Sequence, residues 1–442
     1  MAFHGFTRIL GITLLLVTIC VVTPMLEPNF ADAVNLSNLL RWTALFGFLA
    51  VGVAFVIITG GIDLSIGSLV ALSGILFVTV SDIHTVEVTY QAPITTIRNE
   101  VEAPFTKPAI RLDKPPPLVR GGDALVAGGE DDPKRWEVWG TQRWQGAFWV
   151  ELVEPLPEDW QGKEVAFLRG ETLLTQSQTA HANPWVSCAI VLLFASGIGL
   201  LHGVLIAWGR LQPFVVTLCG LLIYRGVARI LAGDRSVGLK RAMVDFRDLV
   251  TGTAFEFPVP LIGKLSEQED SWTAISWIDF PVVGILLIVV TVIAWVFLYR
   301  SVYGRHLLAL GQNEQAALFS GVATKRLTLL AYMVSSFLAG LAGILFMFDW
   351  TVMSPVKSGA FYELYAIAAA VLGGCSLRGG QAALLGVIAG AAVIRFLFRA
   401  IEILGIGQQW EYVIIGLALF NGILFDEILR RVQARRRLKS PG

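Results

Sequence analysis

Charge is scarce in this chain. Asp, Glu, Lys and Arg make up 15% of its 442 residues, where a soluble globular domain carries about a quarter. A wholly water-facing fold is therefore excluded. Cysteine is scarce too. Cys20, Cys188, Cys219 and Cys375 lie in or beside apolar runs and form no C-x-x-C pair, which excludes a disulfide framework and a thiolate metal site; they are expected as buried small hydrophobes. No phosphate-binding loop, metal-ligand cluster or nucleophile–base spacing occurs. ATP and magnesium therefore have no expected place on this chain, and nucleic acid is not an expected partner. The first apolar run, 9–26, contains Pro24, is followed by Glu27 and Pro28 and has no small-residue cleavage site. It is expected to stay as a spanning helix.

Apolar length is abundant. Runs at 9–26, 42–59, 64–80, 185–208, 213–232, 280–299, 327–348, 362–373, 382–398 and 410–425 predict an all-α polytopic protein with about ten transmembrane helices, since roughly 20 apolar residues cross a bilayer. The third, eighth and tenth are short and glycine-flanked, as broken helices lining a pathway would be. The stretches 42–232 and 327–425 each hold four spans and a glycine-rich break, as an internally duplicated transporter would. Lys and Arg cluster at Arg210, Arg300, Arg305, Lys325, Arg326 and Arg378 and again after Arg430. The positive-inside rule then places both termini and the 303–322 connection in the cytoplasm.

Charge concentrates in one place. Between Ser81 and Asn183 lie 16 acidic residues and 10 basic ones, and parity puts this stretch outside. Short aromatic and β-branched runs bounded by turn residues, at 136–139, 148–153 and 165–168, predict a small β-rich insert. The expected division is therefore 1–80 as spans one to three, 81–183 as the periplasmic insert, and 184–442 as the remaining spans. Five of the thirteen tryptophans fall in the insert, either as its core and interfacial anchors or as a ligand surface. The second outer loop, 233–277, is expected to hold a short helix or two.

Three stretches carry chemistry. The first, YGRHLLALGQNEQAALFSGV at 303–322, is amphipathic: Leu307, Leu308 and Leu310 recur near Ala317 and Leu318, as one face of one helix or of two short helices requires. Asn313 can cap a following turn, and Glu314 lies in that turn where the helix dipole favours an anion. The second, GGIDLSIGS at 60–68, sets Asp63 between two apolar runs. A lone carboxylate is costly in lipid and should face protein or water. Gly60 and Gly61 let the backbone break, and Asp63, Ser65 and Ser68 can satisfy the exposed amides of the next helix. That arrangement reads equally as a structural cap or as the border of a permeation route. The third, YELYAIAAAVLGGCSLRGG at 362–380, is rich in glycine and alanine for close helix packing. Its one carboxylate, Glu363, either meets a substrate or snorkels to the interface.

All three stretches, in this order, resemble the ribose/xylose/galactose permease family of ABC importers. The resemblance implies a type II ABC importer-like bundle working as a homodimer or paired permease in membrane lipid, and makes 303–322 the segment gripped by a cytoplasmic ABC ATPase subunit. That subunit would bind the ATP and magnesium, and a periplasmic sugar-binding protein would deliver a monosaccharide. Coupling roles then fall on Gly304, Arg305, Gly311, Asn313, Glu314, Ala317, Ser320 and Gly321, with the Leu and Ala face seated in the ATPase groove. Pathway roles fall on Gly61, Asp63, Ser65, Ser68, Glu363, Gly373 and Gly374. The chain departs from the family where Tyr365 stands in place of a usual acidic residue, and in its large insert. The insert's expected position on the outer face suits docking of the binding protein. Two rival readings are an ion-coupled carrier using Asp63 or Glu363, and a membrane-anchored envelope enzyme using the insert, near which only His84 and His181 lie.

Overall fold

The computed structural model describes residues 2–420 apart from 83, 90, 102, 115–118, 128–134, 146, 170–171, 181, 240–242, 263–272, 411–412, 415 and 418–419. The expected tenth span, most of the Glu130 charge cluster and the C-terminal arginines fall wholly or largely outside the described residues. The chain divides into a unit built from Met1–Ser81 and Ala182–Gly442 and a unit of Asp82–His181.

The larger unit is helical. Among the described residues, six helices are long and apolar enough to cross a membrane: α2 (Ala33–Ile58), α4 (Pro184–Ala207), α5 (Pro213–Leu231), α7 (Val282–Arg300), α10 (Thr324–Trp350) and α12 (Leu384–Ile403). α1 (Ala2–Leu26), α3 (Ile66–Ser81) and α11 (Tyr362–Leu372) are further apolar helices, whose described apolar stretches are shorter. α2 is the axis of the bundle: nearly all of it from Thr43 to Ile58 is buried, against α10, α12, α11 and α7. α4, α5 and α7 leave large apolar side chains such as Leu193, Leu222 and Ile293 exposed, as a lipid-facing surface requires. The same physics corrects the cysteines. None of the four is in a disulfide; Cys375 is buried, but Cys20 and Cys219 are exposed on their apolar helices, because a side chain that suits lipid has no need of a core.

Among its described residues the 233–277 loop holds one short α-helix, α6 (Val244–Thr251), and also a strand pair missed by its sequence pattern. These strands are β11 (Thr253–Ile262) and β12 (Thr273–Pro281), in which Pro258 and Pro260 disguise β11, since proline is normally confined to strand edges.

The smaller unit is built of antiparallel strands. A ribbon pairs β1 (His84–Thr89) with β9 (Thr175–Ala180). The main sheet runs β2 (Ala92–Arg98), β3 (Ala109–Leu112), β6 (Ala147–Leu152), β5 (Arg135–Trp144), β4 (Ala124–Ala127), β7 (Glu164–Arg169) and β8 (Thr172–Leu173). β2 also pairs with β7, which closes six strands into a small barrel. Its inside is filled by alternate residues including Ile94, Ile110, Val138, Val150 and Phe167, with Trp136 stacked edge-on against Trp160 at 4.4 Å. Trp149 is buried, whereas Trp139 is 56% exposed, so the five tryptophans divide between core and surface.

Asp123 ties this barrel together. Its carboxylate accepts from Arg120 N at 2.8 Å and from both Nε and Nη2 of Arg169 at 2.9 Å. Hydrogen bonding to the Arg169 guanidinium holds its pKa below the ordinary carboxylate range. A carboxyl whose folded value is depressed contributes stability above its unfolded value and loses it as pH falls through the folded one. Hydrogen exchange on the full chain is therefore expected to show barrel protection weakening at acid pH. Asp123→Asn should lower protection already at neutral pH and blunt that acid-dependent loss.

Candidate functional site

The 303–322 stretch folds as two short helices, α8 (Val302–Gln312) and α9 (Glu314–Phe319). Ser301 caps the first, its Oγ accepting from Gly304 N at 3.0 Å. Asn313 caps the second, its Oδ1 accepting from Ala316 N at 3.0 Å, a contact worth about 1 kcal/mol. Glu314 opens that helix. Gly304 leaves no room for a side chain, because a Cβ there would overlap the carbonyls of Phe297 and Leu298. Gly321 turns the chain out of α9 with φ +78°, a left-handed conformation natural to glycine.

The apolar face of these helices corrects one expectation. Leu307, Leu310 and Ala317 are buried in the chain's own core, so this face is not free to seat in a partner. Arg305, Gln312, Asn313, Glu314, Gln315 and Ser320 lie on the exposed side. With them stand Tyr303, Leu318 and Phe319, the last 85% exposed.

Gly311 fixes where the segment meets the bundle. A Cβ at Gly311 would overlap the Ile58 carbonyl oxygen and the Gly380 amide. Gly380 N itself donates to Ile58 O at 2.8 Å, and Gly379 and Gly380 have φ of +87° and +72°. The C-terminal end of α8, the end of α2 and the turn after α11 thus meet backbone to backbone. The two glycine-rich breaks, widely separated in sequence, touch at this point.

From Ile58 the chain turns through Gly60, at φ +81°, into the break before α3. Gly61 packs under Tyr332, whose hydroxyl a Cβ would strike. Asp63, Ser65 and Ser68 are fully buried. Asp63 Oδ1 accepts from Ser65 N at 3.0 Å and Ser65 Oγ at 2.7 Å; Ser68 Oγ donates to Ser65 O at 2.8 Å. Asp63 Oδ2 accepts from Ser335 Oγ on α10 at 2.9 Å. Ser335 was not singled out from sequence; its signal is a Ser-Ser pair inside an otherwise apolar span. Beside this site, Tyr224 Oη and His202 Nε2 share a buried hydrogen bond of 2.7 Å, and His202 in the 185–208 run was the overlooked sign. The arrangement does two things chemically: it satisfies the Ser65 amide just ahead of α3, and it ties the start of α3 to α10 through one carboxylate.

Glu363 stands apart from the 303–322 segment, in the first turn of α11. It is buried, which corrects the interfacial reading, and it packs against α3 so closely that a Cβ on Gly67 would overlap Glu363 Oε2. Arg225 on α5 is within its electrostatic reach and donates to the carbonyls of Pro355 and Ser358. Gly373 and Gly386 lie backbone to backbone, with Gly390 against the Ala369 carbonyl, so α11 and α12 pack at glycine distance. Gly374 turns the chain at φ +96°. No group of His, Cys, Asp and Glu among the described residues is placed to hold a metal ion.

Residues 162–421 match the family described as branched-chain amino acid transport system / permease component. The ribose import permease protein RbsC of Bacillus subtilis (strain 168) is 26% identical over 424 residues, covering 96% of this chain and 94% of that protein. RbsC of Escherichia coli (strain K12) is 26% identical over 413 residues, covering 93% and 91%. The D-allose transport system permease protein AlsC of Escherichia coli (strain K12) is 27% identical over 253 residues, covering 57% and 70%. No solved structure matches.

Proposed function

The chain belongs to the branched-chain amino acid transport permease family, and from that premise we propose that it is the membrane subunit through which an ATP-driven importer takes up a monosaccharide. It is a transport subunit rather than an enzyme. Ribose and allose, which its relatives' names give, define the substrate class. A cytoplasmic ATPase supplies ATP and magnesium, a periplasmic binding protein delivers the sugar to the outer face, and two copies or a paired permease form the route. The insert, on the outer face by charge parity, is the landing surface for the binding protein.

The observation that carries this reading is the Gly311 junction. A chain without its own phosphate-binding loop needs a stiff connection from a cytoplasmic surface to its pathway. Here an exposed polar face on α8 and α9 is joined through backbone contacts to the end of α2. Five residues on, the break carries Asp63 and its link to α10. Movement imposed on α8 has no soft side chain at Gly311 to absorb it.

Charge reversal on the exposed face tests the partner. Glu314→Arg replaces an exposed carboxylate with a guanidinium and leaves the Asn313 cap intact, so the chain should fold. A reversed contact costs a few kcal/mol at an interface, and the variant is expected to lose the ATPase on affinity purification while the wild type retains it. Retention of the ATPase by both would move the docking surface elsewhere.

A further inference from the structure

Tyr332 on α10 lies beside the Asp63 site and takes no part in it. It is fully buried, yet its hydroxyl has no hydrogen-bond partner among the described residues. A buried tyrosine usually finds one, and between membrane-spanning helices an unsatisfied polar atom is especially costly. Phenylalanine would fill the same space without that cost. The oxygen is no bystander at a distance, since it is the atom that a Cβ on Gly61 would strike.

Its neighbours repeat the pattern. Ser336 Oγ on α10 and His202 Nδ1 on α4 are likewise buried without a partner among the described residues, and the rings of His202 and Tyr332 stand perpendicular with centroids 6.4 Å apart. Asp63 is within electrostatic reach of Tyr332, His202 and Tyr224. Among the described residues it nevertheless hydrogen-bonds to none of the three, and takes only Ser335 Oγ from outside its own segment.

The register gives this surplus a use. Tyr332 and Ser335 are three residues apart on α10, hence on one face and about 4.5 Å apart along its axis. Along the break, Gly61 lies at Tyr332 and Asp63 at Ser335. A relative shift of the break and α10 by no more than about one helical turn, about 5 Å, carries Asp63 from one hydroxyl to the other. Residues 61–65 are in neither helix nor strand, so no backbone ladder has to open there. Thr217 Oγ1 on α5, which donates to Ile62 O at 3.2 Å, already has a second acceptor in Pro213 O at 3.0 Å.

We propose that Tyr332 is a positioning residue for the transport cycle: Ser335 holds Asp63 in the state seen here, and the Tyr332 hydroxyl takes Asp63 over when ATP-driven movement of α8 displaces the break. The proposal rests on the importer reading and adds to it a second state of the break with its own donor.

Thermal unfolding of the chain assembled with its ATPase tests it, at rest and trapped with ADP and vanadate. At rest, Tyr332→Phe is expected to melt at or above the wild-type temperature, having lost only an unpartnered hydroxyl, and Ser335→Ala to melt lower. In the trapped complex the order is expected to reverse, with Tyr332→Phe melting several degrees below the wild type and Ser335→Ala level with it. A role in packing alone moves both states alike. A Tyr332→Phe shift that is equal in the two states, as for a hydroxyl satisfied in place by a fixed water, would overturn the proposal; so would a deficit confined to the resting complex. Failure of the importer reading appears separately, as a wild-type chain that retains no ATPase and gives no trapped complex, and takes this proposal with it.

Discussion

Gly311→Ala is expected to abolish ATP-driven uptake. The added Cβ overlaps the Ile58 carbonyl oxygen and the Gly380 amide, and neither is the flexible end of a side chain that could swing away. The C-terminal end of α8 must therefore lift off the end of α2, and the Gly380 N to Ile58 O bond is strained or lost. Overpacking of this kind costs on the order of 3 kcal/mol, enough to lower the melting temperature in detergent by several degrees. Uptake should fall further than stability does, because the substitution acts at the contact through which α8 moves the break. A control at Ala309, exposed two residues away on another side of α8, should tolerate serine with uptake unchanged. Parallel unfolding and uptake measurements on both variants check this. An alanine variant that melts like the wild type and transports normally would remove the junction from the mechanism.

Asp63→Ala should be nearly as damaging, for a different reason. The carboxylate is fully buried and accepts three hydrogen bonds, from Ser65 N, Ser65 Oγ and Ser335 Oγ. Removing it leaves those donors facing a cavity, and each unsatisfied buried group costs about 1–3 kcal/mol. A combined loss of about 3 kcal/mol or more is expected, with α3 no longer tied to α10. Asp63→Asn keeps an acceptor oxygen and the volume and should cost about 1 kcal/mol. Ser335→Ala should fall between them, since it strips one donor from Oδ2 and leaves the break capped. Thermal unfolding of the three purified variants measures the order directly.

Much of this was legible from local pattern. The leucine spacing in 303–322, the Asn313 cap and the glycines around Asp63 are short-range signals, and short-range physics decides them: a cap reaches three residues and a helix face repeats every three or four. Other features depend on pairings across the chain. Ser335 meets Asp63 across 272 residues, and Ile58, Gly311 and Gly380 come together only once three helices pack. Glu363 resembles an interfacial anchor in sequence because it opens a helix; its burial comes from Gly67 on another helix. The exposed cysteines and the buried leucine face of α8 fail for a common reason. In a membrane protein apolarity alone does not say whether a side chain faces lipid, protein or a partner.

The Tyr365 substitution takes its meaning from the same packing. The ring lies 5.1 Å from Phe398 and 6.4 Å from Phe46, two rings over which the Arg395 guanidinium also stacks. A tyrosine there adds a stacking face and no charge.

On the proposed function this chain moves a sugar at the expense of ATP hydrolysed by a partner. The most direct test is uptake into proteoliposomes containing the chain, its ATPase and its binding protein. A panel of radiolabelled neutral and acidic monosaccharides would be supplied, with and without ATP and with ionophores that collapse proton and sodium gradients. Accumulation is expected to require ATP and both partners and to be indifferent to ionophores. Accumulation by the chain alone, following a proton or sodium gradient and insensitive to ATP, would contradict it and make Asp63 or Glu363 part of an ion-coupled carrier.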